Sequence, residues 1–497
     1  MTVPPRDLPQ HVDHLVIGAG FAGLCAAIKL QKDGERDYLV VERGSDVGGT
    51  WRDNTYPGAA CDVPSQLYSF SFAPYDWSRS YSPQPEIQEY LQKVAREAGV
   101  LDRFVFDTSV DHATWDDNAR EWVVETSRGT VRATILVSGA GGLSEPKLPD
   151  IEGIDDFQGD LFHSAQWDHD VDLAGKRVAV IGTGASAIQI VPELQKIVAH
   201  LDLYQRTAPY VIPKTDRKYL GLERFAMKRI PGLQRLYRAG VWMMMESSAP
   251  VFVRPRLNPL PLKQLALHNL SSAVKDPDLR ARLTPTFEPG CKRVLKSNDY
   301  YPAVASENVD LVTEPIAKIS GHAVVTADGE EHPVDAVVVC TGFFTTDQPI
   351  AHHITGRDGR TLADHWADTG MQALHGTSIP GFPNFFMIVG PNTALGHSSM
   401  VQIIEAQIDY VRGAIKTLHE RNLDALEPSQ QAHARWNESV QRSMKHTIWV
   451  TGGCNSWYLD EHGRNSVTWP HTTVSFRRKL ASFDSDLYVA TPQEVSA

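Results

Sequence analysis

Residues 14–34 read HLVIGAGFAGLCAAIKLQKDG, and the fold turns on this stretch. Leu15, Val16 and Ile17 form an apolar run that stops at glycines. Leu24, Ala27, Ile28 and Leu30 then recur at helical spacing. A strand, a glycine turn and a helix are predicted, and YLVVER (38–43) supplies a second buried strand. That is a βαβ unit with a right-handed crossover expected. The same grammar returns in KRVAVIGTGASAIQIVPEL (176–194), followed by HLDLYQRT (200–207). The two units predict an α/β chain with two Rossmann-like dinucleotide-binding domains.

Outside these units, RATILVSGAGGLSEPKLPDIEG (132–153) is a strand running into a Gly- and Pro-rich crossing, read as a linker. DAVVVCTGFF (335–344) marks the return crossing. Between them, 216–289 is rich in Leu, Arg and Met without β alternation, which predicts a helical insertion. A strand, turn and helix over 382–415 lead back to the first domain.

Composition narrows the function classes. The 497 residues fit two or three domains. With 42% hydrophobic and 22% charged residues the chain is globular. A net charge of −12 argues against a nucleic-acid or anionic-membrane partner. The polar N-terminus has no signal-peptide pattern, and no apolar run is long enough to span a membrane. Cys25, Cys61, Cys291, Cys340 and Cys454 are scattered and odd in number, so reduced thiols in a cytoplasmic setting are expected. No C-x-x-C pair occurs, and no metal site is predicted.

The glycines identify two phosphate cradles. Gly18, Gly20 and Gly23 form G-x-G-x-x-G around Phe21 and Ala22, and Glu42 ends the next strand, where an acid accepts from ribose hydroxyls. The second cradle runs Gly182, Thr183, Gly184, Ala185, Ser186, Ala187 and Ile188, with alanine at the third glycine position. Its second strand ends near Arg206 and Thr207, where an acid is usual. An arginine pairs with a 2′-phosphate that an acid would repel, so NADP is expected over NAD. Two nucleotide sites suggest a flavin reduced by a nicotinamide. The loop DVGGTWRDNTYPGAACDVPS (46–65) places the flavin in the first unit. The expected division is therefore an FAD-binding domain at 1–145 and 345–497, an NADP-binding domain at 146–215 and 290–344, and the insertion at 216–289.

Between the units lies FQGDLFHSAQWDHD (157–170). Alone, His163 reads as a buried histidine and Trp167 as packing. Together, Phe157, Gly159, His163, Trp167 and Asp168 match F-x-G-x-x-x-H-x-x-x-W-(P/D), and Gly48, Gly49, Trp51, Tyr56, Pro57, Gly58 and Asp62 match G-G-x-W…(F/Y)-P-G…D. On these motifs the chain resembles the type I Baeyer–Villiger monooxygenases, class B flavoprotein monooxygenases, over essentially its whole length.

The resemblance implies FAD, NADPH and O2 as cofactors and co-substrate, with a small-molecule ketone as substrate. A flavin C4a-peroxide would attack the carbonyl, and the tetrahedral adduct would rearrange to an ester or lactone. The resemblance also implies sulfoxidation as a companion activity. It implies that Arg293 is the catalytic cation, that Asp62 holds it, and that Lys292 lies near the 2′-phosphate. Thr50, Trp51, Arg52, Asp53, Cys61, Asp62, Tyr68, Val110 and Met400 are the implied flavin contacts. The 157–168 stretch is placed in the interdomain linker, with His163 serving movement of NADP.

Residue by residue, blander readings stand beside these: Lys292–Arg293 as a surface pair, and Met400 as the start of a core helix. The rival function is an N- or S-oxygenating flavin monooxygenase without ketone activity. A disulfide-reductase-like flavoprotein would need the dithiol that is missing here. A flavin-binding regulator without turnover would not need Arg293 and Asp62. ILVSGAGG (135–142) departs from the Ala-Thr-Gly strand end of many relatives. In the tail, Trp457 and Tyr458 read either as a wall of the active site or as a packed aromatic pair. The ketone, the regiochemistry and the oligomeric state are not encoded in any motif found.

Overall fold

A computed structural model describes residues 8–255, 261–454, 456–460 and 463–493. Its first sheet is built on β1 (His11–Ile17), which pairs in parallel with β2 (Tyr38–Val41) and with β3 (Gly129–Ser138). Helix α1 (Phe21–Asp33) makes the crossover. Gly34 ends it in the left-handed conformation, its N–H returning to the carbonyls of Leu30 and Gln31. β2 is buried throughout and α1 nearly so, because the long helix α3 (Met400–Arg421) packs along α1. Strand Phe385–Met387 joins β3 from the far end of the chain, so the first sheet is closed by the C-terminal part.

The second sheet has five strands, all parallel: β4 (Asp160–His163), β5 (Arg177–Ile181), β6 (His200–Tyr204), β7 (Val309–Val312) and β8 (Ala336–Val339). Their spatial order is β7-β6-β5-β8-β4. Helix α2 (Ala187–Leu194) covers one face. A three-stranded antiparallel meander, Ile316–Ser320, Ala323–Thr326 and Glu331–Pro333, packs on the other. Between β6 and β7 the chain forms helices at Gly221–Arg229, Leu233–Ser247, Ala249–Val253, Leu262–Ala273 and Pro277–Arg282. Tyr237, Val241, Trp242 and Met245 of these helices lean on the core of the first unit. No helix of the described residues is long and apolar enough to cross a membrane.

Two expectations are corrected. The 157–168 stretch is not a free linker: β4 lies within it and forms the edge of the second sheet, paired with β8 from Ala336↔Asp160 to Val339↔His163. A four-residue strand between polar turns carries too little alternation to stand out in sequence. The cysteines are not all reduced, because Cys291 and Cys454 form a disulfide across 163 residues. Cys25, Cys61 and Cys340 are free and buried. Counting cysteines cannot detect a pair that only the tertiary fold brings together.

The two crossings between the units run side by side. Pro146 bridges Phe343, Lys147 N–H donates to the Gly342 carbonyl (2.9 Å), and Phe344 N–H to that of Glu145 (3.1 Å). His163 is buried at this junction, its ring edge-on to Phe343. Its Nδ1 accepts from Ala165 N–H, and burial pulls its pKa down. Trp167 packs edge-on against Phe162. Gly159 admits no side chain, since a Cβ would lie 2.3 Å from the Asp335 carbonyl oxygen.

Candidate active site

The first cradle is a close meeting of backbones. A Cβ on Gly23 would lie 1.7 Å from the Gly18 carbonyl oxygen, so strand and helix can approach only over glycine. Gly18 has φ +92°, and a Cβ there would lie 2.8 Å from the Gly139 carbonyl oxygen. The strand end Ser138-Gly139-Ala140 thus lies directly against the first glycine of the cradle. Gly20 faces Gly49 across the turn. The first-turn N–H groups at Phe21, Ala22 and Gly23 lack helical acceptors and create an anion site. The Phe21 side chain itself is buried, edge-on to Tyr68 and Phe70.

Glu42 closes the mouth of this cradle. Its carboxylate accepts from Ala19 N–H, Gly44 N–H and Arg52 Nη1 at 2.7–2.8 Å. Arg52 also binds Asp53, and Gly48 N–H donates to the Ala19 carbonyl. Thr50–Asp53 is one helical turn laid against the cradle, and Trp51 Nε1 donates to the Tyr68 hydroxyl at 2.9 Å. Val110 starts its strand just after Thr108, whose N–H donates to the Glu42 carbonyl. Met400 is the first residue of α3, capped by Ser399. Beside it, Ser398 Oγ and both polar atoms of the Gln402 side chain are buried without a protein partner. Orphaned polar groups at the start of a helix that packs along α1 fit a large polar cofactor.

In the second cradle Gly182 has φ +113°, and a Cβ there would lie 2.6 Å from the Cys340 carbonyl oxygen. A Cβ on Gly184 would meet nothing, so this glycine leaves the approach open from outside. Ala185 is exposed, Ser186 half-buried, and Ala187 and Ile188 are buried at the start of α2. Thr183 Oγ1 donates to the Thr207 carbonyl. Arg206 is exposed and repels Lys292, whose pKa falls through burial and then through Arg206. Among the described residues neither cation has an ion-pair partner, and two cations facing one space fit a phosphate.

The motif Tyr56-Pro57-Gly58 joins the two units. Tyr56 hydroxyl donates to Gln189 Oε1 at 3.0 Å, and Gln189 Nε2 donates to the Ala60 carbonyl. A Cβ on Gly58 would lie 2.6 Å from the Gln189 carbonyl oxygen. From this junction the chain runs directly into Cys61 and Asp62. Cys61 is inert, its thiol pushed up to about 12 by burial.

Asp62 and Arg293 form a two-pronged pair. Arg293 Nε and Nη2 each donate to one carboxylate oxygen at 2.7 Å. Burial alone would raise the Asp62 carboxyl, but Arg293, Lys296 and Lys214 outweigh it and hold it at about 2. Asp62 in turn raises Arg293. The side chains are 25% and 37% exposed, so the pair fixes orientation more than it stabilises the fold. Lys296 Nζ donates to the Asp62 carbonyl, and Lys296 and Lys214 both lie over the Tyr81 ring. Sequence reading missed Gln189, Lys214, Lys296 and Tyr81, because none belongs to a motif. Tyr458 is buried and interacts electrostatically with Arg293 and Asp62, whereas Trp457 is largely exposed.

The lowered Asp62 pKa has a pH consequence. The stability contributed by the pair is complete above the unfolded carboxylate value near 4 and is lost as pH falls towards about 2. Between pH 5 and 9, turnover is expected to show no limb owed to Asp62. An acid limb in the wild-type profile that vanishes in Asp62→Asn would contradict this.

A family model described as pyridine nucleotide-disulphide oxidoreductase matches residues 15–236, which hold both cradles. A Baeyer–Villiger monooxygenase of Streptomyces coelicolor is 49% identical over 477 residues, covering 96% of this chain and 92% of that protein. The chain belongs to the Baeyer–Villiger monooxygenases. Cyclohexanone monooxygenase from Rhodococcus sp. Phi1, bound to NADP+, superposes with a TM-score of 0.87 at 28% identity, covering 98% of this chain and 100% of that one. The OTEMO complex with FAD and NADP gives 0.86 at 27% identity, covering 98% and 100%. This Baeyer–Villiger monooxygenase is an FAD- and NADPH-dependent flavoenzyme, and its two cradles fit that pair of cofactors.

Proposed function

We propose that the enzyme inserts one oxygen atom of O2 between the carbonyl carbon and an adjacent carbon of a ketone, giving an ester or lactone. The observation that carries this reading is the Asp62–Arg293 pair. When bound, FAD reduced by two electrons from NADPH would activate O2, one atom entering the product and the other leaving as water. Arg293 is the fixed cation on which negative charge at the reacting carbonyl is stabilised, and Asp62 holds its guanidinium plane in one orientation. Lys296 and Lys214 keep the surroundings of Asp62 positive, so the carboxylate stays ionised and Arg293 stays in place.

The cradle at Gly18–Gly23 with Glu42 would take the FAD pyrophosphate and ribose, and the Thr50–Asp53 turn, Tyr68, Val110 and the start of α3 would line the rest. The cradle at Gly182–Ile188 with Arg206, Thr207 and Lys292 would take NADPH. We assign 1–145 and 345–497 to the FAD domain, 146–215 and 290–344 to the NADP domain, and 216–289 to the insertion. His163, packed where the two crossings meet, would couple their relative movement to NADP.

Incubation with NADPH, air and a panel of cyclohexanone, 2-octanone and phenylacetone is expected to give lactone or ester. Conversion of thioanisole to its sulfoxide with every ketone untouched would favour the N- or S-oxygenating alternative. For the nucleotide, Arg206→Ala is expected to lower the NADPH-over-NADH ratio of kcat/KM by at least about tenfold. An unchanged ratio would place 2′-phosphate recognition elsewhere.

A further inference from the structure

The geometry points to the Cys291–Cys454 disulfide as a positioning element of the active site, which holds the C-terminal Tyr458 segment against the loop carrying Arg293. The inference rests on the reading of Arg293 given above. Cys291 stands two residues before Arg293, and Cys454 four residues before Tyr458. Their Cα atoms are 6.1 Å apart. One covalent bond thus joins the Arg293 loop to the segment that carries the buried Tyr458.

The surroundings are shaped to this contact. Glu288 N–H donates to the Gly452 carbonyl at 3.0 Å, just outside the disulfide. A Cβ on Gly452 would lie 2.6 Å from Cys291 Cβ, so the two segments can meet this closely only over glycine. Gly290, with φ +97°, presses against Phe252 and Ile448, and Phe252 stacks on Trp449. Tyr458 packs on Trp449 and on Trp457. Thr345 Oγ1 donates to the Trp457 carbonyl, which ties the same segment to the return crossing between the domains. Apart from the disulfide, the attachment of 452–458 to the Arg293 loop among the described residues is the Glu288–Gly452 hydrogen bond and the packing of Cys454 in a small apolar cluster with Tyr210, Ala266 and Phe287. Noncovalent contacts of that size open readily, and a covalent tie removes that freedom. Cys291 and Cys454 act through Arg293 and Tyr458, so they are positioning residues.

Non-reducing peptide mapping of the FAD-loaded protein is expected to find Cys291 linked to Cys454, with Cys25, Cys61 and Cys340 as thiols. Dithiothreitol passes two electrons and two protons to the two sulfurs, giving two thiols and the cyclic disulfide of the reagent. In treated wild type, and in Cys291→Ala/Cys454→Ala, hydrogen exchange is expected to rise about tenfold in peptides covering 287–296 and 447–460 and to stay constant elsewhere. With cyclohexanone, KM for the ketone and hydrogen peroxide released per NADPH are expected to rise roughly fivefold, with KM for NADPH and FAD content unchanged. Dithiothreitol should change nothing further in the double variant.

Five free thiols in the untreated protein would overturn the proposal, as would unchanged exchange in both peptides or an unchanged ketone KM. Should the double variant fail to fold, dithiothreitol-treated wild type decides. Should no ketone react, the reading of Arg293 fails, while mapping and exchange still decide whether the bond holds the Tyr458 segment.

Discussion

Arg293→Ala is expected to bind FAD, to consume NADPH, and to form ester at a rate lower by roughly a thousandfold. Removing one fixed charge from the position where negative charge develops costs on the order of two to three powers of ten even where other donors remain. The loss is expected at the upper end, because Arg293 makes both hydrogen bonds to the Asp62 carboxylate and its removal leaves that carboxylate without them. Arg293→Lys should recover little of the rate. An ammonium is a point charge and cannot make the two-pronged contact that sets the guanidinium plane. Asp62→Asn keeps the shape of the partner without its charge, so a smaller loss, about tenfold, is expected. Ester is measured by gas chromatography and bound flavin by absorbance on the same samples. Arg293→Ala at the wild-type ester rate would remove the catalytic assignment, whereas loss of flavin from that variant would show that Arg293 supports the fold.

Gly23→Ala is expected to purify with less than about a tenth of the wild-type flavin and to melt well below the wild type, because the overlap it creates is with backbone. Its Cβ would sit 1.7 Å from the Gly18 carbonyl oxygen, and neither the strand end nor the helix start can move without opening the cradle. Gly184→Ala supplies the contrast. Its Cβ meets no protein atom, so flavin content and melting temperature should stay at wild-type values while KM for NADPH rises about tenfold. Full flavin occupancy in Gly23→Ala would show that strand and helix are less tightly joined than the structure has them.

How much of this was legible in sequence depends on the range of the interaction concerned. The two cradles were legible because each is local: strand, glycines, helix and second strand follow one another within 30 residues. The helices between Gly221 and Arg282 were legible for the same reason. Strand β4 was not, because four residues at a sheet edge are specified by pairing with Ala336–Val339, far along the chain. The Cys291–Cys454 pair, the Gln189 bridge to Tyr56 and Ala60, and the two lysines over Tyr81 are likewise products of long-range packing. Asp62 and Arg293 were found only through resemblance, since an aspartate and an arginine 231 positions apart carry no signal of their own. Tyr458 and Trp457 were left open between two roles; in the fold their rings pack on one another at 4.2 Å, with Tyr458 buried and Trp457 exposed.

The most direct test of the central claim is mass spectrometry of the product formed from cyclohexanone under 18O2 with NADPH. The account predicts a lactone carrying one labelled atom in the ring position, formed in equal amount to the NADPH consumed, by the wild type and almost not at all by Arg293→Ala. NADPH consumed with the label recovered only in hydrogen peroxide or in an added sulfide, across cyclohexanone, 2-octanone and phenylacetone alike, would contradict it.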